Sequence, residues 1–352
     1  MPYLLLFGWA IVAAILAGAT PALRRPMGAA LAATLVLFAG LRADSVDYAG
    51  YQVMFELMVE LDLDYPERLF FGKDLLFGGV MDLLQRLGGN LQSMFLAAAL
   101  LSVGLKQLAF SRAFEGNTAV PWLVTLSLSF FLHDFTQIRT AIALALCFLA
   151  LQHLVAGRVK PWLWLTLVAT GFHLSAALFV PVASVLLVAP QRRGMAWALM
   201  TGGLVLALIG LFQLVAFIDP RLANHGEVTG LNWTALAVAT FKLALLVATA
   251  LAMRHGTERF EAAGRLVWPC VMFVATGVVL LFVLRDVASA LAFRLYEFFD
   301  AFSIWVIAVG LMQRRAVPVL LALGYCAFGV LLQWLPGLFT PYEIAPLASL
   351  FG

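Results

Sequence analysis

The chain has 352 residues, 63% of them hydrophobic and only 12% charged, with a formal net charge of +3 and a mean hydropathy of +0.98. Soluble domains carry roughly 25% charged residues, so the composition excludes a soluble globular protein and describes a polytopic membrane protein. The small, scattered positive charge leaves no footprint for nucleic acid.

In chain order, Met1 to Ala19 lacks a basic leading region and Arg24-Arg25 follow it, which predicts a retained first helix. Apolar spans are expected near 2–19, 27–41, 90–110, 119–133, 138–156, 161–174, 175–190, 195–217, 233–253, 266–284, 298–312 and 316–334. Several fall below the ~20 residues that an upright helix needs. Cys147, Cys270 and Cys326 all lie within these runs and read as small buried hydrophobes, not as a disulfide or metal framework. No repeat, low-complexity linker or soluble domain interrupts the pattern. The fold class expected is therefore all-α: a single polytopic transmembrane helix bundle over 1–352, with about 11–12 spans, some short or re-entrant.

Short loops orient the bundle through their Lys and Arg content. The turns holding Arg24-Arg25, Lys106 and Arg112, Arg158 and Lys160, Arg192-Arg193, Arg254 to Arg265, and Arg314-Arg315 share one side if every span crosses. That side should be cytoplasmic. The reading requires 161–190 to cross twice, through a break at Gly171-Phe172-His173.

The other face collects the polar residues. An external segment over 42–89 opens with Arg42, Asp44, Asp47 and Tyr48; in a helix, the last three share a face at i, i+3 and i+4. Val53, Met54, Leu57, Met58 and Leu61 then form the apolar stripe of an interfacial amphipathic helix. A second is expected at 73–87, where Lys73, Asp74, Asp82 and Arg86 are too many charges for a spanning helix. Leu75, Leu76, Phe77, Val80, Leu83, Leu84 and Leu87 supply its apolar face.

Three further clusters stand out. His133, Asp134, Gln137 and Arg139 lie where two apolar runs meet. The Arg139 guanidinium suits a phosphate by its planar fork, and His133 or Asp134 can serve as a base or merely cap a helix. His173 sits inside apolar sequence between Gly171 and Ser175, either a hydrogen-bonded core residue or part of a polar cavity at a helix break. Arg285-Asp286 precede Arg294, Tyr296, Glu297 and Asp300, with Arg294–Glu297 and Tyr296–Asp300 spaced to pair on one helix. Because an external arginine opposes the positive-inside bias, Arg42, Arg139, Arg285 and Arg294 together read as a basic pocket for one anionic ligand. Tyr342 and Glu343 read as interfacial anchors. No metal-ligand spacing, nucleophile elbow or phosphate-cradling glycine loop occurs.

Four pieces, in this order, carry a resemblance: Asp44-Ser45-Val46-Asp47-Tyr48-Ala49-Gly50-Tyr51 with Phe55, Phe135-Thr136-Gln137-Ile138-Arg139-Thr140-Ala141-Ile142-Ala143, Phe172-His173-Leu174-Ser175-Ala176, and Arg294-Leu295-Tyr296. From about 40 to 345 the chain resembles the EpsG-type family of Wzy-like polymerases, which join bacterial exopolysaccharide and O-antigen repeat units. Ala43, Val46 and a short stretch between the interfacial helices depart from that pattern.

The resemblance implies a membrane glycosyltransferase at the periplasmic face of the bacterial inner membrane. It would move a growing glycan from undecaprenyl diphosphate onto the next lipid-linked oligosaccharide repeat unit, with no cofactor and no metal. Arg139 and Arg294 would hold the diphosphate, helped by Arg42 and Arg285. His173 or Asp47 would stand nearest the acceptor hydroxyl, with Asp44 and Asp134 as further candidate bases. Tyr48 and Arg42 would position sugar or phosphate, and Gln137, Tyr296, Asp134 and His133 are further positioning candidates. Membrane lipids and a chain-length regulator are the remaining partners implied. A lipid-linked-sugar ligase or membrane acyltransferase is the alternative. A ligase would place its large external loop late, whereas here 42–89 is early and 218–232 is short. A lipid-linked oligosaccharide flippase is a third reading, which would place charges at mid-membrane.

Overall fold

The computed structural model describes residues 2–61, 67–71, 74–218, 233–254, 260–334 and 343; Lys73, Tyr342 and the 219–232 segment lie outside them. Helices account for the regular structure and no strand occurs among the described residues, as the composition predicts. Among the described residues, eight helical segments are long and apolar enough to cross a membrane, which makes the chain a multi-pass membrane protein. Four of the expected spans take shorter or broken forms. The chain divides into two compact units, Met1–Ala177 with Cys326–Gly352, and Leu178–Tyr325.

The first unit begins with α1 (Pro2–Ala19), α2 (Arg24–Gly40), α3 (Tyr48–Glu60), α4 (Glu67–Phe71) and α5 (Leu75–Arg86). It continues through α6 (Leu91–Ala113), α7 (Ala119–Leu128), α8 (Ile138–Val155) and α9 (Val159–Phe172). The most enclosed of its long helices is α8, flanked by α6 and α9. Ala141, Ala143, Ala145 and Ala150 are all buried there; small side chains let neighbouring backbones approach where lipid offers no hydrophobic drive to association. At its end Gly157 takes φ +75°, a conformation that costs a glycine little.

α7 stops after 10 residues, where the backbone widens into turns. Thr125 and Ser127 hydroxyls bond back to Pro121 and Leu123 carbonyls. The amides of Phe130, Phe135 and Gln137 then each reach back five residues, to Thr125, Phe130 and Leu132. These wide turns satisfy the irregular backbone internally, as burial requires. The carbonyls left at the end of α7 receive the Gln333 amide, which donates to Leu126 O and Ser127 O at 3.3 and 2.6 Å. One turn earlier, Gly329 lies against Ser127 O, where a Cβ would come within 2.8 Å.

The 133–134 pair does not cap the outer ends of two helices. Asp134 is fully buried, and its Oδ2 lies 2.5 Å from Lys106 Nζ. Lys106 is the sixteenth of the 23 residues of α6, not a member of a basic turn, so only Arg112 remains to mark that loop. His133 is also buried.

The amphipathic helices form, and each packs one side of itself inside the protein while leaving part of its expected apolar stripe exposed. α3 starts at Tyr48, so Asp44 stands in the preceding turn and does not share a helical face with Tyr48. Its buried stripe is Tyr51, Phe55 and Met58, while Val53 and Leu61 are exposed. On α5 the buried residues are Phe77, Gly78, Met81 and Asp82, and Leu83 and Leu87 are exposed. The buried Asp82 carboxylate takes Arg68 and Arg86, each at 2.8 Å. Gln85 accepts from Arg68 and donates to Phe55 O, tying α3, α4 and α5 together.

The second unit holds α10 (Phe179–Ser184), α11 (Arg193–Ile218), α12 (Trp233–Ala252), α13 (Glu261–Gly264), α14 (Val267–Leu284), α15 (Ser289–Asp300), α16 (Ser303–Leu311) and the first part of α17 (Ala316–Trp334). The expected 298–312 span is thus a broken pair, α15 and α16. A stack of rings supports the break: Phe273 lies 4.6 Å from Phe302, 5.0 Å from Phe179 and 6.1 Å from Phe299. Asp300, at the end of α15, pairs with Lys242, the tenth of the twenty residues of α12. Tyr296 and Tyr325 hydroxyls each donate to Asp300 Oδ1 at 3.4 Å. The charges therefore do not all gather at one face, and their placement no longer argues against a flippase.

Candidate functional site

Four segments distant in sequence meet at one end of the first unit. Arg139 is the second residue of α8, so its side chain leaves the helix within the first turn. His173 terminates α9 in an extended conformation (φ −160°, ψ 119°), and a 3₁₀ turn over Leu174–Leu178 follows. This is the break expected at Gly171-Phe172-His173. Gly171 permits it by close approach, since a Cβ there would meet the Leu76 side chain at 2.7 Å. Asp74 sits at the N-cap of α5, and Tyr51 lies on the buried stripe of α3.

Asp74 joins them. Arg139 Nη1 donates to Asp74 Oδ2 at 2.6 Å, and the Leu174 amide donates to Oδ1 at 3.3 Å. His173 Nδ1 stands 3.7 Å from the same Oδ2, an ion-pair distance that a small rotation of the ring would convert to a hydrogen bond. The Arg139 guanidinium also lies beside the Tyr51 hydroxyl. An aspartate at an N-cap ordinarily accepts from its own helix, which stabilises by about 1 kcal/mol. Asp74 makes no such bond. Its carboxylate turns to Arg139 and Leu174 instead, a local rule broken where a site is assembled.

The electrostatics follow from the same contacts. Burial pushes the Asp74 carboxyl up, but the His173 imidazole, the Arg139 charge and the Leu174 amide together hold it below its ordinary value. Burial raises the Tyr51 phenol despite the Arg139 guanidinium beside it. Tyr48 is raised by partial burial, offset by the nearby Arg42 charge. At rest the arginine and the aspartate cancel one another.

Several expected site residues surround this core. Arg42 and Asp47 both act on the Tyr51 hydroxyl, and Arg42, Asp44 and Glu56 on that of Tyr48. Asp44 and Asp47 are exposed, and Gln137 is half-buried beside α8. Tyr48 stacks on Phe95 at 5.0 Å. Arg42 is wholly buried, its guanidinium 4.1 Å over the Phe95 ring and 5.2 Å from that of Phe135, with Nε donating to Ser45 Oγ. The Ala43 amide bonds Glu343 O at 2.9 Å. His133 and Asp134 lie deeper, with Lys106.

Arg285, Arg294 and Tyr296 belong to the second unit. Arg285 lies 3.9 Å over the Trp233 ring, its Nε 3.1 Å from Asp286. Arg294 is exposed on α15, whereas Tyr296 is buried with Asp300. Sequence reasoning missed Asp74 as the partner of Arg139 and passed over Lys242. A lone lysine inside an apolar run demands a counter-charge, which was the available signal. Among the described residues, no group of three or more His, Cys, Asp or Glu side chains converges as a metal site would require.

No curated protein and no solved structure matches the chain. The family model for EpsG matches residues 27–344, which include every element of the Tyr51–Asp74–Arg139–His173 site. The chain belongs to the EpsG family of Wzy-type polysaccharide polymerases.

Proposed function

We propose that this protein joins undecaprenyl-diphosphate-linked oligosaccharide repeat units at the periplasmic face of the bacterial inner membrane, without a metal ion. The observation that carries the reading is the convergence of Arg139, Asp74, His173 and Tyr51. It places a planar cation, a candidate base and an orienting carboxylate within one contact of each other.

The chemistry matches these groups. The acceptor hydroxyl oxygen attacks the anomeric carbon of the donor glycan, and the bond from that carbon to the diphosphate oxygen breaks. The electron pair leaves on the diphosphate, where Arg139 stabilises developing charge with donors set before reaction. With its proton on Nδ1, toward Asp74, the His173 imidazole has its Nε2 lone pair free to take the hydroxyl proton. Asp47 is the second candidate for that role. Arg294 and Arg285 are assigned to substrate phosphate, and Tyr48, Gln137 and the buried Arg42 to positioning. His133, Asp134 and Tyr296 act on substrate only indirectly, since each is buried.

The test is incubation of the purified full chain with lipid-linked repeat unit in EDTA. A ladder of polymer lengths is expected, and Arg139→Ala should abolish it while Arg139→Lys restores little, because an ammonium lacks the planar fork. A ladder from Arg139→Ala would sink the diphosphate assignment, and strict dependence on a divalent ion would sink the metal-free mechanism. A single transfer to a different acceptor, with no ladder, would favour the ligase reading.

A further inference from the structure

We infer that Asp74 is an internal stand-in for the substrate's anion: it holds Arg139 at rest, yields it to an incoming phosphate, and then serves His173. The inference rests on the diphosphate reading of Arg139 and goes beyond it, by assigning a role to a residue outside the arginine and histidine motifs.

The geometry is that of one oxygen with two claimants. Asp74 Oδ2 lies 2.6 Å from Arg139 Nη1 and 3.7 Å from His173 Nδ1, so it is committed to the arginine and one small movement from the imidazole. The other oxygen is anchored by the Leu174 amide, which follows His173 directly in the chain. A carboxylate pivoting about that anchor exchanges Arg139 for His173 without leaving its place at the head of α5. His173 Nδ1 is buried and makes no hydrogen bond in the resting arrangement, so it is ready to donate when Oδ2 arrives. Arg139 stays beside the Tyr51 hydroxyl through the exchange. A diphosphate oxygen arriving at Nη1 replaces one anion by another of higher charge, so the cation is never left uncompensated in a poorly solvated site.

The arrangement links binding to base orientation. Before substrate arrives His173 stands at ion-pair distance from Asp74 without a hydrogen bond; once the diphosphate occupies Arg139, Asp74 fixes the imidazole with Nδ1 protonated and Nε2 basic. Asp74 is a positioning residue in this scheme. It touches neither the glycan nor the phosphate.

The scheme separates binding from turnover in opposite directions. Asp74→Asn removes the competing charge, so Arg139 no longer has to leave a carboxylate to take phosphate. Inorganic diphosphate should then bind the full-length protein in lipid nanodiscs at least about tenfold more tightly, the factor expected if no more than roughly one resting molecule in ten has Arg139 released from Asp74. The same variant loses the carboxylate that orients His173, and kcat for lipid-linked repeat unit should fall about a hundredfold or more. KM falls while kcat falls, a split that a scaffold role for Asp74 does not produce. Adding Arg139→Ala to Asp74→Asn should abolish the gain in affinity.

A second measurement needs no variant of Asp74. In ¹⁵N-histidine-labelled wild type, with His173 assigned from the spectrum of His173→Asn, inorganic diphosphate should shift the Nδ1–H proton downfield as the bond to Asp74 forms. Binding of diphosphate to Asp74→Asn that is equal or weaker overturns the exchange, as does a His173 signal unmoved by saturating diphosphate. If Arg139-dependent binding and polymerisation persist in those cases, the polymerase reading stands and only the exchange fails. No binding by wild type or Asp74→Asn overturns both together.

Discussion

At the scale of single residues, the site is defined by one carboxylate more than by the arginine beside it. Asp74 gives up its cap to bridge Arg139, Leu174 and the face of His173. Its ionisation sets a pH dependence whose sign can be worked out. The folded carboxyl lies below its ordinary value of 3.8, so its contacts stabilise the fold fully above that value. They are lost as pH falls through the lower folded value. The difference in thermal midpoint between wild type and Asp74→Asn should persist at about pH 5 and above, and close below about pH 4. A gap that closes instead above pH 6 would mean that Asp74 is not the group responsible. Arg139 and His173 were legible in the sequence because polar side chains inside apolar runs advertise themselves. Asp74 was visible only as one of several charges on an amphipathic stretch, since nothing local distinguishes it from Asp82. Asp82 turns to Arg68 and Arg86.

At the scale of elements, breaks in helices do the positioning. The α9 break presents His173, the turns after α7 bring Asp134 to Lys106, and the α15–α16 break sets Asp300 against Lys242. A lysine and an aspartate buried in the apolar part of a helix cost several kcal/mol each in desolvation, and removing one partner leaves the other uncompensated. Lys242→Ala should therefore destabilise by about 3–5 kcal/mol, whereas Lys242→Met with Asp300→Leu should be near neutral or stabilising. Thermal unfolding of the protein in nanodiscs reads both. Equal destabilisation by the single and double variants would show that the hydroxyls of Tyr296 and Tyr325, not the ion pair, set the energy. Sequence periodicity found the spans that form continuous helices and misjudged these broken ones, because a helix interrupted by wide turns has no single period.

At the scale of the whole molecule, the charge of the short loops supplies the orientation. The proposed arrangement puts exposed Val46 in the periplasm and exposed Lys160 in the cytoplasm. A membrane-impermeant maleimide applied to intact spheroplasts should label Val46→Cys and spare Lys160→Cys until the membrane is permeabilised. The native Cys147, Cys270 and Cys326 are buried and contribute little background. The reverse pattern would move the site to the other leaflet and, with it, remove the polymerase proposal. Losing Lys106 from the basic turns weakens only one of the six loops that set this orientation, because Arg112 occupies the same turn.

The sequence by itself determined the membrane character, the all-helical class, the family, and the polar residues Arg139 and His173 around which a site could form. These follow from hydropathy, loop charge and short motifs, all of them local properties. Which carboxylate meets Arg139 was decided only by the tertiary structure, across separations of 65 residues to Asp74 and a further 100 from Asp74 to Leu174. The physical reason is that an ion pair in a low-dielectric interior depends on where helices end and how closely they pack, as at Gly171 against Leu76. No periodicity along the chain encodes that distance.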